Sequence, residues 1–307
     1  MKVSDKLKII QKILGINQTE LASRFTVSFP TLNSWFNEKS HPRAKKAELI
    51  DALYLEVTGQ KIVPAERLLE LKTKLQNQSK KYPSIINEIL RHPDIRDQFI
   101  LELTYHSNGI EGSTLTEPDT AAILFDNVVL PHKSLTEHLE AKNHQTALNY
   151  VFFCVADKLP IDENFILTMH GMLMNGVLPD AGRYRNHGVR IAGVNLPTAN
   201  YVSVPKLMIE LIALLRTPDD VIDRVTHFHS MFEKIHPFSD GNGRVGRLLM
   251  CAMLLSANFA PAVILQQQKQ LYYTYLFKAQ TKNDQSQLES FICQAVTLGF
   301  EILERKA

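Results

Sequence analysis

The chain has 307 residues, of which 45% are hydrophobic and 21% charged, and its formal net charge is +2. This composition is typical of a soluble globular protein with one large and one small domain, and it excludes disorder, collagen and coiled-coil arrays. The longest apolar run, residues 248–257, is far shorter than the ~20 residues that a bilayer crossing needs. Because residues 1–5 begin no secretory signal either, we expect no membrane partner and a cytoplasmic location. The three widely spaced cysteines are expected to be buried thiols.

Basic side chains are concentrated at the N-terminus, where residues 1–47 carry nine Lys or Arg against three Asp or Glu. Such a segment prefers an anionic partner. Helical periodicity ends at Gly15 and restarts after Asn17, which begins a capping-box pattern. Ser28 is the expected cap of a further helix over Phe29–Phe36. The pattern therefore predicts short helices separated by tight turns.

Residues 18–22 and 27–35 resemble the helix-turn-helix of the Cro and lambda-repressor-like family, over about the first 55 residues of the chain. The resemblance implies that the second of these helices enters the major groove of DNA. It would present Thr31, Asn33 and Ser34 to base edges while lysines contact phosphates. The alternative is a small helical domain that contacts protein or docks on the rest of the chain.

The large remainder of the chain is predicted to be mainly α-helical. The expected order is a helix-turn-helix domain over residues 1–57, a helical linker over 58–93 and a large domain over 94–307. Within the large domain, residues 182–204 are rich in Val, Asn, Gly and Pro and favour a small β-hairpin. An amphipathic helix is expected over Val221–His236 and a buried helix over Arg244–Ala257.

The loop that joins these last two helices has the features of an anion site. Its glycines permit close approach of the backbone to a ligand, and the N-terminus of a buried helix binds anions. Arg244 and Arg247 lie three residues apart, so both guanidinium groups converge on one polyphosphate. Asp240 is a natural Mg²⁺ ligand beside phosphates, and His236 suits a general base near neutral pH.

Three other interpretations of this segment are open. Residues 241–246 match the GxGxxG pattern of dinucleotide-binding folds, but that fold needs a preceding strand and here an amphipathic helix is expected. His229, Glu233 and His236 share a helical face and form a candidate metal site, although no HExxH is present. The third interpretation is a structural charge cluster in which both arginines pair with carboxylates.

Residues 236–247, HPFSDGNGRVGR, match the HxFx(D/E)GNGRxxR motif of the Fic family without a departure. The chain resembles that family over about residues 95–300. The resemblance implies a Fic-type helical bundle that transfers AMP from ATP to a Ser, Thr or Tyr hydroxyl of a protein. It also implies residue roles: His236 as base, Asp240 on Mg²⁺, Gly241, Asn242 and Gly243 on the α-phosphate, and Arg244 and Arg247 on the β- and γ-phosphates. Phe238 is expected to anchor the loop in the core.

A second segment, residues 107–112, resembles the inhibitory motif (S/T)xxxE(G/N) of the same family through Ser107 and Glu111. In relatives this glutamate, at the end of a helix expected here over about residues 95–112, reaches the second motif arginine, which is Arg247 in this chain. It would thereby compete with the γ-phosphate for the same donors. The alternative is that Glu111 is a surface charge near a Gly-rich helix end.

The expected hairpin also has a counterpart in the family. Val189, Arg190, Ile191, Ala192 and Gly193 resemble the flap that pairs with an extended target segment. A purely structural hairpin that covers the core is equally compatible with these residues.

We therefore predict a Mg²⁺-dependent protein adenylyltransferase that uses ATP, is autoinhibited by Glu111 and associates with DNA through its N-terminal domain. One alternative is removal of AMP from a modified protein at the same site, with Glu111 positioning water. The other is a transcriptional regulator whose Fic domain only senses nucleotide. The target protein, the DNA sequence, the use of another nucleotide and the oligomeric state, a homodimer included, stay open.

Overall fold

The computed structural model describes residues 1–190, 196–216 and 220–304. Within these ranges the structure is mainly α-helical, as predicted, and none of its helices is long and apolar enough to cross a membrane. The chain divides into two compact units. Unit 1 comprises residues 1–67 and 267–288, and unit 2 comprises residues 68–266 and 289–307.

Unit 1 is built from short helices, several of which begin or end at capping residues that bond within a few positions of themselves. Its helices are α1 (Val3–Leu14), α2 (Gln18–Arg24), α3 (Phe29–Phe36), α4 (Ala44–Val57) and α14 (Lys269–Lys282). Gly15, with a φ of 64°, ends α1, because that left-handed conformation favours glycine. The Asn17 side chain accepts from the Glu20 amide at 2.9 Å, and the Glu20 carboxylate accepts from the Asn17 amide at 2.8 Å. This capping box and the Ser28 cap of α3 confirm the expected helix starts.

Unit 2 surrounds one buried helix. Its helices are α6 (Ile85–Arg91), α7 (Pro93–Glu111), α8 (Glu117–Phe125), α9 (Leu135–Ala156), α10 (Glu163–Leu173), α11 (Val204–Ala213), α12 (Val221–Ile235) and α13 (Asn242–Ser256). Two further helices, α5 (Ala65–Ser79) and α15 (Ser286–Glu304), have residues in both units. Almost every residue of α13 is buried, and α13 packs against α7, α9, α10 and α12. The prediction of a buried helix after the loop is therefore confirmed.

The β-hairpin expected over residues 182–204 is not found in the described part of that segment. Residues 182–190 and 196–200 form turns and irregular backbone, and a 3₁₀ turn over Tyr201–Ser203 leads directly into α11. Side chains, not a strand ladder, satisfy its carbonyl groups: Arg185 donates to the carbonyl oxygens of His187 and Ala199, and Thr198 donates to that of Val189. Apolar β-branched residues favoured strands, but these side-chain bonds compete with such pairing.

The flap residues are only partly described. Val189 and Arg190 lie in irregular backbone, whereas Ile191, Ala192 and Gly193 lie outside the described residues. Their role in docking a target stays a prediction, as do the domain boundaries at residues 57 and 93. The three cysteines, Cys154, Cys251 and Cys293, are buried thiols, as expected.

Candidate active site

His236 stands at the end of α12 with its ring held in one tautomer. Its backbone adopts the left-handed conformation, with φ 54° and ψ 63°, and so turns the chain out of the helix. The ring Nδ1 lies 3.3 Å from the carbonyl oxygen of Glu233. Because a carbonyl only accepts, Nδ1 carries the proton, and in the neutral ring Nε2 is left as a base. Burial lowers the pKa of His236, which favours this neutral form.

The loop after His236 is closed by a side chain of its own. The Asn242 side-chain amide donates to the carbonyl oxygen of Phe238 at 2.9 Å, and its oxygen accepts from the Phe238 amide at 2.8 Å. The Phe238 ring is fully buried, which confirms that it anchors the loop in the core. These two bonds of the Asn242 side chain therefore hold the backbone of the loop, while contact with an α-phosphate stays a prediction.

His170 of α10 packs against the loop and bonds its backbone. Its ring stacks on that of Phe238, with centroids 3.7 Å apart. Its Nδ1 accepts from the Gly182 amide at 2.8 Å, so Nε2 carries a proton and donates to the carbonyl oxygen of Asp240 at 3.2 Å. Burial lowers the pKa of His170 to about 4. The neutral ring thus links residue 182 to the loop, a role that no sequence motif signalled.

Arg185, in the irregular segment over residues 182–190, hydrogen-bonds the end of α12. Its guanidinium donates to the carbonyl oxygens of His236 at 2.7 Å and Ile235 at 3.3 Å. The Arg185 amide also donates to the carbonyl oxygen of Pro237 at 3.0 Å. The side chain is almost completely buried, and its guanidinium also donates to the carbonyl oxygens of His187 and Ala199, so four carbonyl groups depend on it.

The start of α13 carries the two arginines of the motif. Gly241, with a φ of 77°, precedes the helix, and a Cβ at that position would come within 2.7 Å of Met174 Sδ. Arg244 is buried, and its Nη1 donates to Glu140 Oε1 at 2.7 Å. Its Nη2 lies 3.8 Å from Asp240 Oδ2. The helix N-terminus and the Arg244 guanidinium therefore lie beside the same loop.

Arg247 is held by the helix α7 that was expected to be inhibitory. Its Nε donates to Ser107 Oγ at 2.9 Å, and its Nη2 donates to the Ser107 carbonyl oxygen at 3.0 Å and to Glu111 Oε1 at 2.6 Å. A Cβ on Gly243 would collide with the same Glu111 carboxylate. Glu111 is therefore not remote from the loop: its side chain is about one-third exposed, but its carboxylate lies over the first turn of α13.

An open cleft of about 340 Å³ lies beside these groups and is lined by Glu111, Gly112, Ser113, Thr114, Glu137, Glu140, Asp240 and Arg244. The Asp240 side chain is 65% exposed, and its Oδ1 accepts from the Gly241 amide at 2.7 Å. An exposed carboxylate such as that of Asp240 at the edge of a cleft suits Mg²⁺, which takes one or two carboxylates and completes its shell with phosphate oxygens and water. Asp240 thus fits the predicted metal.

The other interpretations of the loop fare differently. A dinucleotide-binding fold is wrong, because helix α12 precedes the glycines where that fold needs a strand. Among the described residues no group of three or more His, Cys, Asp or Glu side chains is arranged to hold a metal, so His229, Glu233 and His236 gain no support as ligands. Burial lowers the pKa of His229 to about 3. Carboxylates do pair with both arginines, as the structural interpretation expects.

Some residues that shape the site carried no recognisable signal in the sequence. Beyond His170 and Arg185, they include Asp180, whose Oδ2 accepts from Ser239 Oγ at 2.5 Å, and Glu140 on Arg244. Asp180 lies 59 positions from Ser239, and Glu140 lies 104 positions from Arg244. Such pairs follow from the fold and have no fixed spacing, so only an alignment of co-varying positions would have pointed to them.

The three residues predicted to read DNA lie on α3 in unit 1. Each is half-buried and makes a local hydrogen bond. Thr31 Oγ1 lies 2.9 Å from Ser28 Oγ, Asn33 Oδ1 accepts from Asn37 at 2.7 Å, and Ser34 Oγ donates to the Thr31 carbonyl oxygen at 2.7 Å. DNA contact by these side chains stays a prediction.

Comparison with known proteins identifies the region around the loop. Residues 160–254 match the Fic/DOC family. This Fic/DOC region contains His236, the loop, both arginines, the whole of α12 and all but the last two residues of α13. Helix α7, which carries Ser107 and Glu111, lies before the matched residues.

Longer similarity extends to proteins named protein adenylyltransferase Fic. The one from Nematostella vectensis is 37% identical over 183 residues, which are 57% of this chain and 42% of that protein. The one from Drosophila willistoni is 33% identical over 175 residues, or 56% of this chain and 35% of that protein. The chain therefore spans less than half the length of these relatives.

Solved structures share the fold around the Fic/DOC region. A Fic family protein from Desulfovibrio desulfuricans has a TM-score of 0.66 and 27% identity, covering 78% of this chain and 74% of that one. Fic-1 from C. elegans has a TM-score of 0.68 and 21% identity, covering 97% of this chain and 87% of that one. The helical fold of this chain is therefore similar to that of solved Fic proteins, as the motif implied.

Proposed function

We propose that this chain is a Mg²⁺-dependent protein adenylyltransferase that moves AMP from ATP to a Ser, Thr or Tyr hydroxyl of a protein and is held inactive by Glu111. One observation carries the proposal. His236, with Nε2 left as a base, borders the same loop as the arginine-bearing start of α13, and Glu111 lies on one of those arginines. The similarity to proteins named protein adenylyltransferase Fic supports the same chemistry.

The transfer step uses groups that the loop holds ready. The target hydroxyl oxygen attacks the α-phosphorus of ATP, the bond from that phosphorus to the pyrophosphate oxygen breaks, and the hydroxyl proton passes to His236 Nε2. Amides at the start of α13 bind the α-phosphate, while Arg244 and Arg247 stabilise the charge that builds up on pyrophosphate. When bound by Asp240 and phosphate oxygens, Mg²⁺ would neutralise part of the triphosphate charge.

Inhibition follows from competition for Arg247. The Glu111 carboxylate accepts from Arg247 Nη2 at 2.6 Å, and it lies over Gly243, where a phosphate would approach the backbone. A γ-phosphate and this carboxylate cannot share the same donors. Replacing Glu111 by glycine removes the competitor and leaves the clamp intact.

Intact-mass measurement of the Glu111→Gly protein after incubation with Mg²⁺ and each nucleoside triphosphate tests the proposal. We expect self-modification by AMP, and lysate labelling from ATP labelled at the α-phosphorus that is roughly tenfold above that of the parent. Glu210→Gly, an exposed glutamate of α11, is the matched control and should label like the parent. Adding His236→Ala should abolish transfer and leave ATP binding largely intact. No nucleotide transfer by Glu111→Gly with Mg²⁺ or Mn²⁺ would contradict the proposal.

Removal of AMP from a modified protein is the second candidate function. It is favoured by the position of Glu111, whose side chain is one-third exposed and lines the cleft beside Asp240, so it could also orient a water molecule. In that case the parent releases AMP from a target modified beforehand, and Glu111→Gly loses this release. Adenylyltransferase activity predicts the opposite response to the same substitution.

DNA association through unit 1 is the remaining part of the proposal. The excess of basic residues over 1–47 and the capped helices α2 and α3 support it. Fluorescence anisotropy with duplex DNA should show affinity that falls with salt, and Lys45→Ala should reduce the salt slope by about 1. Affinity that is insensitive to salt would contradict it, and sequence-selective binding without any AMP transfer would favour a nucleotide-sensing regulator. A homodimer stays a prediction.

A further inference from the structure

A buried carboxyl group lies behind His236, and the transfer step above does not use it. Glu233 is one helical turn before His236, and its Oε2 is 3.9 Å from the His236 Nδ1. Its Oε1 packs against the backbone of α13, where a Cβ on Gly246 would come within 2.5 Å of it and 3.0 Å of the His229 ring. Glycine at position 246 therefore makes room for this carboxyl group and the neighbouring imidazole.

The charged and titratable groups that face Glu233 come from three helices. His229 and His236 face it from its own helix, Arg247 from α13 and Glu111 from α7. Its Oε1 is buried and has no hydrogen-bond partner among the described residues. A buried polar atom without a hydrogen bond lowers the stability of the folded protein, so its presence calls for an explanation such as a catalytic role.

Burial raises the pKa of Glu233 to about 8, with the Glu111 charge raising it further and the Arg247 charge lowering it. Both the neutral acid and the carboxylate are therefore accessible at moderately alkaline pH. Only the carboxylate can attract a positive charge on the neighbouring ring.

We propose that Glu233 is a positioning residue whose carboxylate stabilises the imidazolium that forms on His236 during transfer. This inference rests on the proposed function. When the hydroxyl proton reaches Nε2, the ring carries two N–H groups and a positive charge. Nδ1 continues to donate to the Glu233 carbonyl oxygen, and the Glu233 carboxylate lies on that same side of the ring. After the products leave, Nε2 returns its proton to solvent.

Such a pair titrates as a unit. Above the second apparent pKa the state is neutral imidazole with carboxylate, and the proton added on acidification is shared between the two groups. The His236 ring should therefore respond to pH twice, once below its ordinary value of 6.5 and once near pH 8. A glutamine at position 233 resembles the protonated acid and removes only the second response.

The first experiment needs no enzymatic activity. We would follow the Cε1 resonances of ¹³C-labelled histidines in the full chain from pH 5 to pH 10, identifying His236 by the signal lost in His236→Gln. The parent and the control Glu210→Gln should show the inflection near pH 8, Glu233→Gln should lack it, and Glu233→Asp should retain it at a shifted pH. A parent without this inflection, or its survival in Glu233→Gln, would overturn the inference. If Glu233→Gln does not fold, a parent inflection that Glu233→Asp leaves unmoved would overturn it as well.

The second experiment measures AMP transfer from α-labelled ATP to lysate proteins in the Glu111→Gly background. Because the Glu111 charge raises the pKa of Glu233, this background should move the carboxyl inflection to lower pH. Adding Glu233→Gln should then lower the rate about tenfold at pH 9, corresponding to one pKa unit of the ring, and change it little at pH 6. An equal loss at every pH would indicate a merely structural role and overturn the inference. No transfer in either protein would defeat the proposed function, while the resonance titration would still decide the pair.

Discussion

The N-terminal helices and the loop over residues 236–241 are both short segments between helices, yet they are held in different ways. The starts of α2 and α3 are fixed by Asn17 and Ser28, which bond within three residues of themselves. The loop depends on Arg185 and His170, which lie 51 and 70 positions from the residues they bond. The first region follows rules that act along the chain, and the second is assembled by contacts that exist only after folding.

Replacing Arg185 should cause the largest loss of stability, because this side chain makes long-range hydrogen bonds to the end of α12. Arg185→Ala leaves four carbonyl groups without their donor, so we expect the free energy of unfolding to fall by about 3 kcal/mol. Urea titration checks this. Arg183→Ala, two residues away and exposed, is the control and should change stability by less than about 0.5 kcal/mol. Equal losses of stability in the two variants would show that the loop does not depend on the long-range bonds of Arg185.

Acid should weaken unit 2 through its buried histidines. Burial lowers the pKa of His144 and His229 to about 3 and of His170 to about 4, and it raises the pKa of Glu233 to about 8. Below pH 6.5 each of these histidines takes up a proton on unfolding, whereas Glu233 releases one. Near pH 5 the unfolded chain therefore binds about two protons more than the folded one, so stability falls there by about 2.7 kcal/mol per pH unit of acidification. Between about pH 7 and 8 only the proton that Glu233 releases on unfolding remains, so stability also falls as the pH rises through that range and is greatest near about pH 7.

Urea titrations at pH 7, 6 and 5 measure this slope. His41→Gln, a substitution of an exposed residue of unit 1, is the control variant for these titrations. Stability that is constant over this range would mean that the three rings are solvated or already charged in the folded protein.

Asn242→Ala probes the bond that closes the loop from within the motif. It removes a donor and an acceptor from the buried backbone of Phe238, and we expect a loss of about 2 kcal/mol in unfolding free energy. AMP transfer in the Glu111→Gly background should fall as well. A variant that keeps full stability but loses transfer would show that Asn242 acts on the nucleotide and not on the loop.

The smallest loss of stability is expected in the N-terminal helices, whose starts are fixed by local hydrogen bonds. Asn17→Ala removes the cap of α2 and should cost about 1 kcal/mol, detected as faster amide hydrogen exchange within that helix. Thr19→Ala on the exposed side of the same helix is the control. Exchange that also accelerates in α12 would contradict the view that this cap acts only locally.

Several elements were predictable for reasons that these experiments would test. Capping residues and Gly15 marked the N-terminal helices, and the apolar run over residues 248–257, interrupted only by Ser256, marked α13 as buried. The hairpin over 182–204 was wrong for its described residues because β-branched composition reports preference, not pairing. There, Arg185 and Thr198 bind the carbonyl groups that a strand would have used.

The sequence by itself determined the helical starts, the buried helix and the order of base, acid and arginines along residues 236–247, since each depends on spacing of a few residues. Only the tertiary structure decided that Glu111 lies on Arg247, that Glu140 lies on Arg244, and that Arg185 binds the carbonyl oxygens at the end of α12. The physical reason is that a charge or a buried donor selects whichever partner packing brings within about 3 Å, and that choice leaves no periodic trace in the chain.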